Sequence, residues 1–256
     1  MDQAIFPITS AVSLPDLAGD NYVTVLERLH HTLAPKTYLE IGVQTGRTLA
    51  LARCAAIGVD PQFLILEPAT MMQLVAKPAL HLFQTGSDDF FALHRPDAIF
   101  GAPVDFAFLD GMHRAEFLLR DFINTERYCK KNSIIALHDC LPVEIPMTSR
   151  SGPSGSIAPL RQNMWTGDVW RTARLLARYR PDLSMLVLDA APTGLVLITN
   201  LDPADQTLAA NYDRLVGEMM SWLLEDIGLA AYHDEMGIVS TSRLQRSEDI
   251  TERFWL

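Results

Sequence analysis

Five short apolar runs recur along the chain: TYLEIG (37–42), AAIGVD (55–60), LHLFQTG (80–86), VDFAFLD (104–110) and SIIALHD (133–139). Each closes on a glycine or a carboxylate. Between the fourth and fifth runs lies MHRAEFLLRDFINTERYCKK, where Phe117, Leu118, Phe122 and Ile123 fall on one helical stripe. Continuous apolar runs separated by helical segments read as parallel strands buried on both faces. Polar residues then collect at the C-terminal ends of the strands, the edge where open α/β sheets bind ligands.

The flanking segments complete the pattern. VTVLERLHHTL, with Val25, Leu26, Leu29 and Leu33 at helical spacing before Pro35, predicts a helix leading into the first strand. RTLALARCAA, built of strong helix formers, predicts a second helix directly after the first glycine turn. GDVWRTARLLARYRP predicts a third, stopped by Pro181, and LSMLVLDAAPTGLVLITN predicts two strands around an APTG turn. A last long helix is expected over Pro203–Ile227. Residues 141–165 are rich in Pro, Ser and Gly without any period and are read as a mobile lid over the site. No repeat or linker interrupts the chain, so one domain is expected over 1–256, with a helical lead-in at 1–36, the lid at 141–165 and a C-terminal helical segment at 203–256.

Charge and cysteine usage narrow the partners. Asp plus Glu number 31 against 21 Lys plus Arg, a net charge of -10, so a phosphate backbone would be repelled and nucleic acid is excluded as a substrate. Cys54, Cys129 and Cys140 show no paired spacing, as expected of reduced thiols in the cytoplasm. MDQAIFPITS lacks the features of a signal peptide and no apolar stretch is long enough for a membrane span. The apolar content of LVGEMMSWLLEDIGLAAY and the terminal FWL suggests a homodimer through the C-terminal third.

The most informative motif is YLEIGVQTG, with Glu40 inside the strand and Gly42 and Gly46 in the turn that follows. Glycines there let the backbone approach a ligand closely. Gln44 stands where a dinucleotide fingerprint needs glycine, which argues against a pyrophosphate. Asp60 ends the second run 20 residues after Glu40, the place of a carboxylate that accepts ribose hydroxyls. Glu67 competes for that role if the second strand is Phe63–Leu66. Ser87 and Asp88 follow the third run, as ligand contacts or as helix caps.

Taken in order, LEIGVQTG, AIGVDP, GSDDFF, VDFAFLDGMHRAEFLLRDF and ALHDCLP resemble the class I S-adenosylmethionine-dependent methyltransferases, and within them the bacterial small-molecule branch with an aspartate-glycine-x-histidine motif after strand four. The resemblance spans Asn21 to Asn200. It implies an α/β fold: a Rossmann-like, doubly wound, mostly parallel seven-stranded sheet with an antiparallel terminal hairpin. It also implies that Glu40 approaches the amino-acid end of S-adenosylmethionine, that Gly42 and Gly46 line the loop, that Asp60 binds the ribose, and that Ser87 and Asp88 border the adenine. Asp110 closes the donor site from strand four.

Asp110, His113, His138 and Asp139 form a second constellation. Asp110, His138 and Asp139 suit a divalent cation, Mg²⁺ or, with an imidazole present, Mn²⁺. Some members of that branch hold a metal through an acidic pair where this chain has His138-Asp139. His113, with Asp110, is the candidate for catalysis, as the base for an acceptor hydroxyl. In WTGDVW, Trp165, Asp168 and Trp170 either flank the acceptor pocket or pack the core. The expected activity is O-methylation of a small hydroxylated metabolite, a sugar or natural-product-like acceptor. A metal-dependent hydrolase built on the four polar residues, or a non-catalytic donor-binding module, are the competing readings.

Overall fold

The computed structural model describes residues 13–152 and 157–256; the terminal MDQAIFPITS and four residues of the 141–165 segment lie outside them. The five apolar runs form β1 (Thr37–Ile41), β2 (Ala55–Val59), β3 (Leu80–Phe83), β4 (Val104–Leu109) and β5 (Cys129–His138). The expected hairpin supplies β6 (Ser184–Leu188) and β7 (Leu195–Thr199). One sheet results, in the order β3-β2-β1-β4-β5-β7-β6, parallel from β3 to β5 and antiparallel where β7 joins β5 and β6. This is the Rossmann-like, doubly wound sheet with an antiparallel terminal hairpin.

Alternate side chains of the central strands enter different layers. Leu39, Ile41, Leu109, Ile135 and Leu137 pack towards α5 (Ala115–Glu126) and α6 (Trp170–Tyr179). Tyr38, Phe106, Phe108, Ile134 and Ala136 pack towards α1 (Tyr22–Leu33). Between β2 and β4 run α2 (Pro68–Val75), α3 (Ser87–Leu93) and α4 (Pro96–Phe100). The edge strand β3 departs from full burial, with His81 and Leu82 exposed.

Two helix expectations are corrected. After the glycine turn there is no α-helix, only a 3-10 turn at Leu49–Leu51. Register sets Ala55 opposite Thr37, leaving residues 42–54 to make both the turn and the return to the sheet's other end. A crossover carrying a helix needs a dozen residues or more beyond such a turn. The long helix expected over 203–227 is instead α7 (Thr207–Ala210), α8 (Tyr212–Met220) and α9 (Leu224–Ile227), followed by α10 (Leu229–Met236) and α11 (Ser247–Thr251). Apolar residues are too dense there for one stripe of a straight helix. Extended backbone at Leu223 breaks the run and lets Leu215, Met219 and Leu224 all reach the core. Among the described residues no helix is long and apolar enough to cross a membrane.

Candidate active site

Register builds the site. Ile41, Leu109 and Leu137 occupy one row of the sheet, so Gly42, Asp110 and His138 stand side by side at its rim. The order of strands reverses between β1 and β4, which opens a crevice there. Gly42 has φ +88, and a Cβ on it would lie 2.1 Å from the Asp110 carbonyl oxygen. Only glycine lets the loop pass the end of β4.

On the β2 side, Asp60 directly follows its strand and is nearly buried. It accepts backbone N–H bonds from Gln44 at 2.8 Å and Gln62 at 2.7 Å, tying the glycine loop to β2. Phe63–Leu66 is not a strand, and Glu67 is exposed, accepting only from Thr70 at 3.2 Å. Glu40 is fully buried: Tyr38 donates to one carboxylate oxygen at 2.7 Å and Thr48 to the other at 2.8 Å. Burial pushes its carboxyl up to about 8, against those two hydrogen bonds. Ser87 and Asp88 begin α3, and Asp88 is held by both Nε and Nη2 of Arg120, at 2.8 and 2.7 Å.

The β4–β5 side is arranged differently. His113 Nε2 lies 3.2 Å from Asp110 Oδ1, and His113 Nδ1 lies 3.3 Å from Asp139 Oδ2 and 3.1 Å from the Trp165 carbonyl. His138 Nδ1 sits 3.4 Å from both carboxylates, without hydrogen-bonding geometry to either. Thr193 donates a short hydrogen bond to Asp139. His113 and Asp139 both adopt positive φ, +55 and +59, a region ordinary side chains rarely enter. Burial opposes charge on both imidazoles, yet the carboxylates prevail and hold His113 up at about 9 and His138 at about 10. For Asp110, burial is outweighed by the charge of the two imidazoles beside it, His138 and then His113, so its carboxyl falls far below the usual range.

The donor set fits a divalent cation. Ligand atoms of Asp110, His113 and Asp139 lie within 4.8 Å of one another, and two carboxylates with one imidazole suit Mn²⁺ better than Mg²⁺. The nitrogen in this group is His113. His138 lies deeper, its ring 3.9 Å from that of Tyr22, and both of its nitrogens are buried without a partner.

Sequence reasoning missed several groups here. Tyr22, at the start of α1, covers His138. Asp121 is buried on α5 with Oδ1 unpartnered, lining a small cavity with Asp110, Gly111 and His113, and burial lifts it to about 7. Its signal was legible: a carboxylate on the apolar stripe between Leu118 and Phe122. Gly167 is a third. It has φ +57, and a Cβ there would lie 1.8 Å from the His113 carbonyl oxygen. The WTGDVW segment divides its roles. Trp165 stacks on His113 at 4.9 Å, Asp168 accepts from the Ala115 backbone N–H at 2.9 Å to start α5, and Trp170 packs in the core against Tyr232.

A crevice at the β1/β4 switch, a glycine loop and a carboxylate ending β2 define an α/β enzyme of the class I methyltransferase fold. Residues 39–140 match the family model described as a methyltransferase domain. None of the curated proteins matches the sequence. Among solved structures, a Klebsiella pneumoniae protein described as an O-methyltransferase shares 12% identity at a TM-score of 0.50, covering 70% of this chain and 79% of its own. At that identity the likeness shows the fold. The S-adenosylhomocysteine-bound methyltransferase of Podospora anserina has 13% identity and a TM-score of 0.49, covering 71% and 78% of the two chains. The S-adenosylmethionine complex of a Streptomyces achromogenes O-methyltransferase of tomaymycin synthesis has 16% identity and a TM-score of 0.47, covering 73% and 82%.

Proposed function

We propose that the protein transfers the methyl group of S-adenosylmethionine to a hydroxyl oxygen of a small acceptor, a sugar or natural-product-like molecule. The observation that carries this reading is the meeting, at one rim of the sheet, of the glycine loop and Asp60 with the Asp110–His113–Asp139 cluster. When bound, the donor supplies an electrophilic methyl group on a sulfonium. Each Asp60 oxygen spends one acceptor site on a backbone N–H and keeps another for a ribose hydroxyl. Gly42 and Gly46 admit the donor backbone-close, Glu40, its carboxyl held up at about 8 by burial, lies beneath its amino-acid end as a fixed polar group, and Ser87 and Asp88 border the adenine.

On the other side, Asp110 and Asp139 orient the His113 imidazole from opposite nitrogens, and the Trp165 ring shields it from water. As the acceptor oxygen bonds to the methyl carbon, the carbon–sulfur pair returns to sulfur and the acceptor proton passes to His113. With its imidazole held up at about 9, His113 takes that proton from its neutral fraction, which grows as pH rises. If Asp110 and Asp139 instead hold a Mg²⁺ or Mn²⁺ ion together with His113, the ion would lower the pKa of an acceptor hydroxyl in place of a base. Three buried free thiols, Cys54, Cys129 and Cys140, support a reducing, cytoplasmic setting.

The test is transfer of labelled methyl from S-adenosylmethionine to a panel of sugars and polyketide hydroxyls, with and without chelator. Labelled product is expected, and its loss with chelator would assign the cation a part. A protein that binds the donor yet labels nothing across the panel, and does not slowly hydrolyse the donor, would favour a donor-binding module.

A further inference from the structure

The missing helix between β1 and β2 leaves space at the opposite edge of the sheet. Where that layer would continue, the structure has a cleft of about 740 Å³ bounded by α1, the end of α2, α11 and the Leu49–Leu51 turn, a volume in the range of small-molecule sites. It lies where the strands begin: Arg53 stands just before β2 and Lys77 just before β3. The length of a strand, roughly 15 Å, separates it from the crevice.

Its lining reverses the charge of the chain. Against a net charge of -10, the cleft gathers Arg28, Arg53 and Lys77 with Glu27 as its one carboxylate. Among the described residues Arg28 pairs with Asp20 at 2.6 Å and Lys77 donates to the Ala52 carbonyl, while Arg53 makes neither an ion pair nor a side-chain hydrogen bond. At the floor, His30 is 7% exposed, and its two ring nitrogens are buried with no partner among the described residues. Aromatic rings of Tyr38 and Phe106 pack around it at 4.7 and 4.9 Å, so the ring closes the cleft from beneath.

We infer that this cleft is a second ligand site, separate from the methyl-transfer crevice, for a small organic oxyanion: a phosphate ester or a carboxylate. Arg53 and Lys77 bind the anionic group, and the His30 ring lies beneath the body of the molecule. Burial holds Lys77 down at about 8, and burial with the Lys77 charge holds His30 down at about 3, so positive charge is disfavoured here until an anion arrives. A guanidinium matches both phosphate and carboxylate, and the two sources are separated by the probes.

Ribose 5-phosphate and citrate should each be titrated calorimetrically into the full chain, alone and with S-adenosylhomocysteine present, with imidazole NMR signals followed in parallel. At least one probe should bind at millimolar concentration or below, move the His30 ring signals, and lose about tenfold in affinity in both Arg53→Ala and Lys77→Gln. Asp60→Ala, on the far edge, should leave it unchanged. Preference for ribose 5-phosphate would assign a phosphate ester and preference for citrate a carboxylate. Absence of binding by either probe, binding indifferent to both cleft variants, or binding lost in Asp60→Ala would overturn the site.

Discussion

The two sides of the crevice handle their charges in opposite ways. On the β1–β3 side three acidic groups are answered from within the chain: Glu40 by Tyr38 and Thr48, Asp60 by two backbone N–H groups, Asp88 by Arg120. On the β4–β5 side, Asp110 Oδ1 and both nitrogens of His138 are buried without a hydrogen-bond partner among the described residues, whereas positive φ occurs on both sides, at Gln44 as at His113 and Asp139. Satisfied groups hold a binding surface still. Unanswered ones are retained where chemistry needs them. The difference assigns placement to one side and reaction to the other, and it can be attacked at graded points.

The largest effect is expected where the sides touch. Gly42→Ala and Gly167→Ala each put a Cβ within about 2 Å of a backbone oxygen at positive φ, so urea unfolding should show a loss of about 4 kcal/mol or more, or no folded protein at all. Near-native stability in either would mean that the loops do not meet as described. Next, His113→Ala should lower kcat by about 10² to 10⁴-fold while S-adenosylhomocysteine affinity changes little. Equal losses in both would move His113 to the placing side.

A smaller effect tests one buried carboxyl on each side by pH. Glu40 titrates at about 8 and Asp121 at about 7, raised chiefly by burial. Both hold protons in the folded state that the unfolded chain has already released. Their contribution is therefore complete below about pH 4 and lost as pH rises through 7 and 8, on the order of 1–3 kcal/mol between pH 5 and 9. Tyr38, Thr48 and Lys77 pull Glu40 down while Asp110 pushes it up. Glu40→Gln and Asp121→Asn should each flatten the profile, Glu40→Gln more strongly; a slope that survives both would contradict these assignments. Smallest of all, Thr193→Val deprives Asp139 of its hydroxyl partner and should cost about 1–3 kcal/mol in stability.

The sheet was legible because apolar runs and the carboxylates ending them are local facts, and Asp60, Asp110 and Asp139 stand where strand ends must put them. The helix after Gly46 was misread because its residues favour helix, while the strand register that leaves no room for it is a tertiary fact. Tyr22 and Thr193 escaped notice for a related reason: they reach His138 and Asp139 from α1 and the β6–β7 turn, far away in sequence. The homodimer expected through the C-terminal third rested on apolar content. Leu215, Met219, Leu224, Leu229, Tyr232 and Met236 pack inside, Leu223 and Trp255 stay exposed, and further exposed apolar residues gather on and before α2, at Leu64, Leu66, Met71, Met72 and Val75. Composition reports how much apolar surface a segment carries, not which way it faces.

The central claim is that the satisfied side is built to hold the donor through Asp60. Calorimetric titration of S-adenosylhomocysteine into the native chain, Asp60→Ala and Glu67→Ala tests it most directly. The account predicts binding to the native chain, a loss of roughly 2 to 4 kcal/mol in Asp60→Ala, and unchanged affinity in Glu67→Ala. No binding to the native chain, or full affinity in Asp60→Ala, would contradict it.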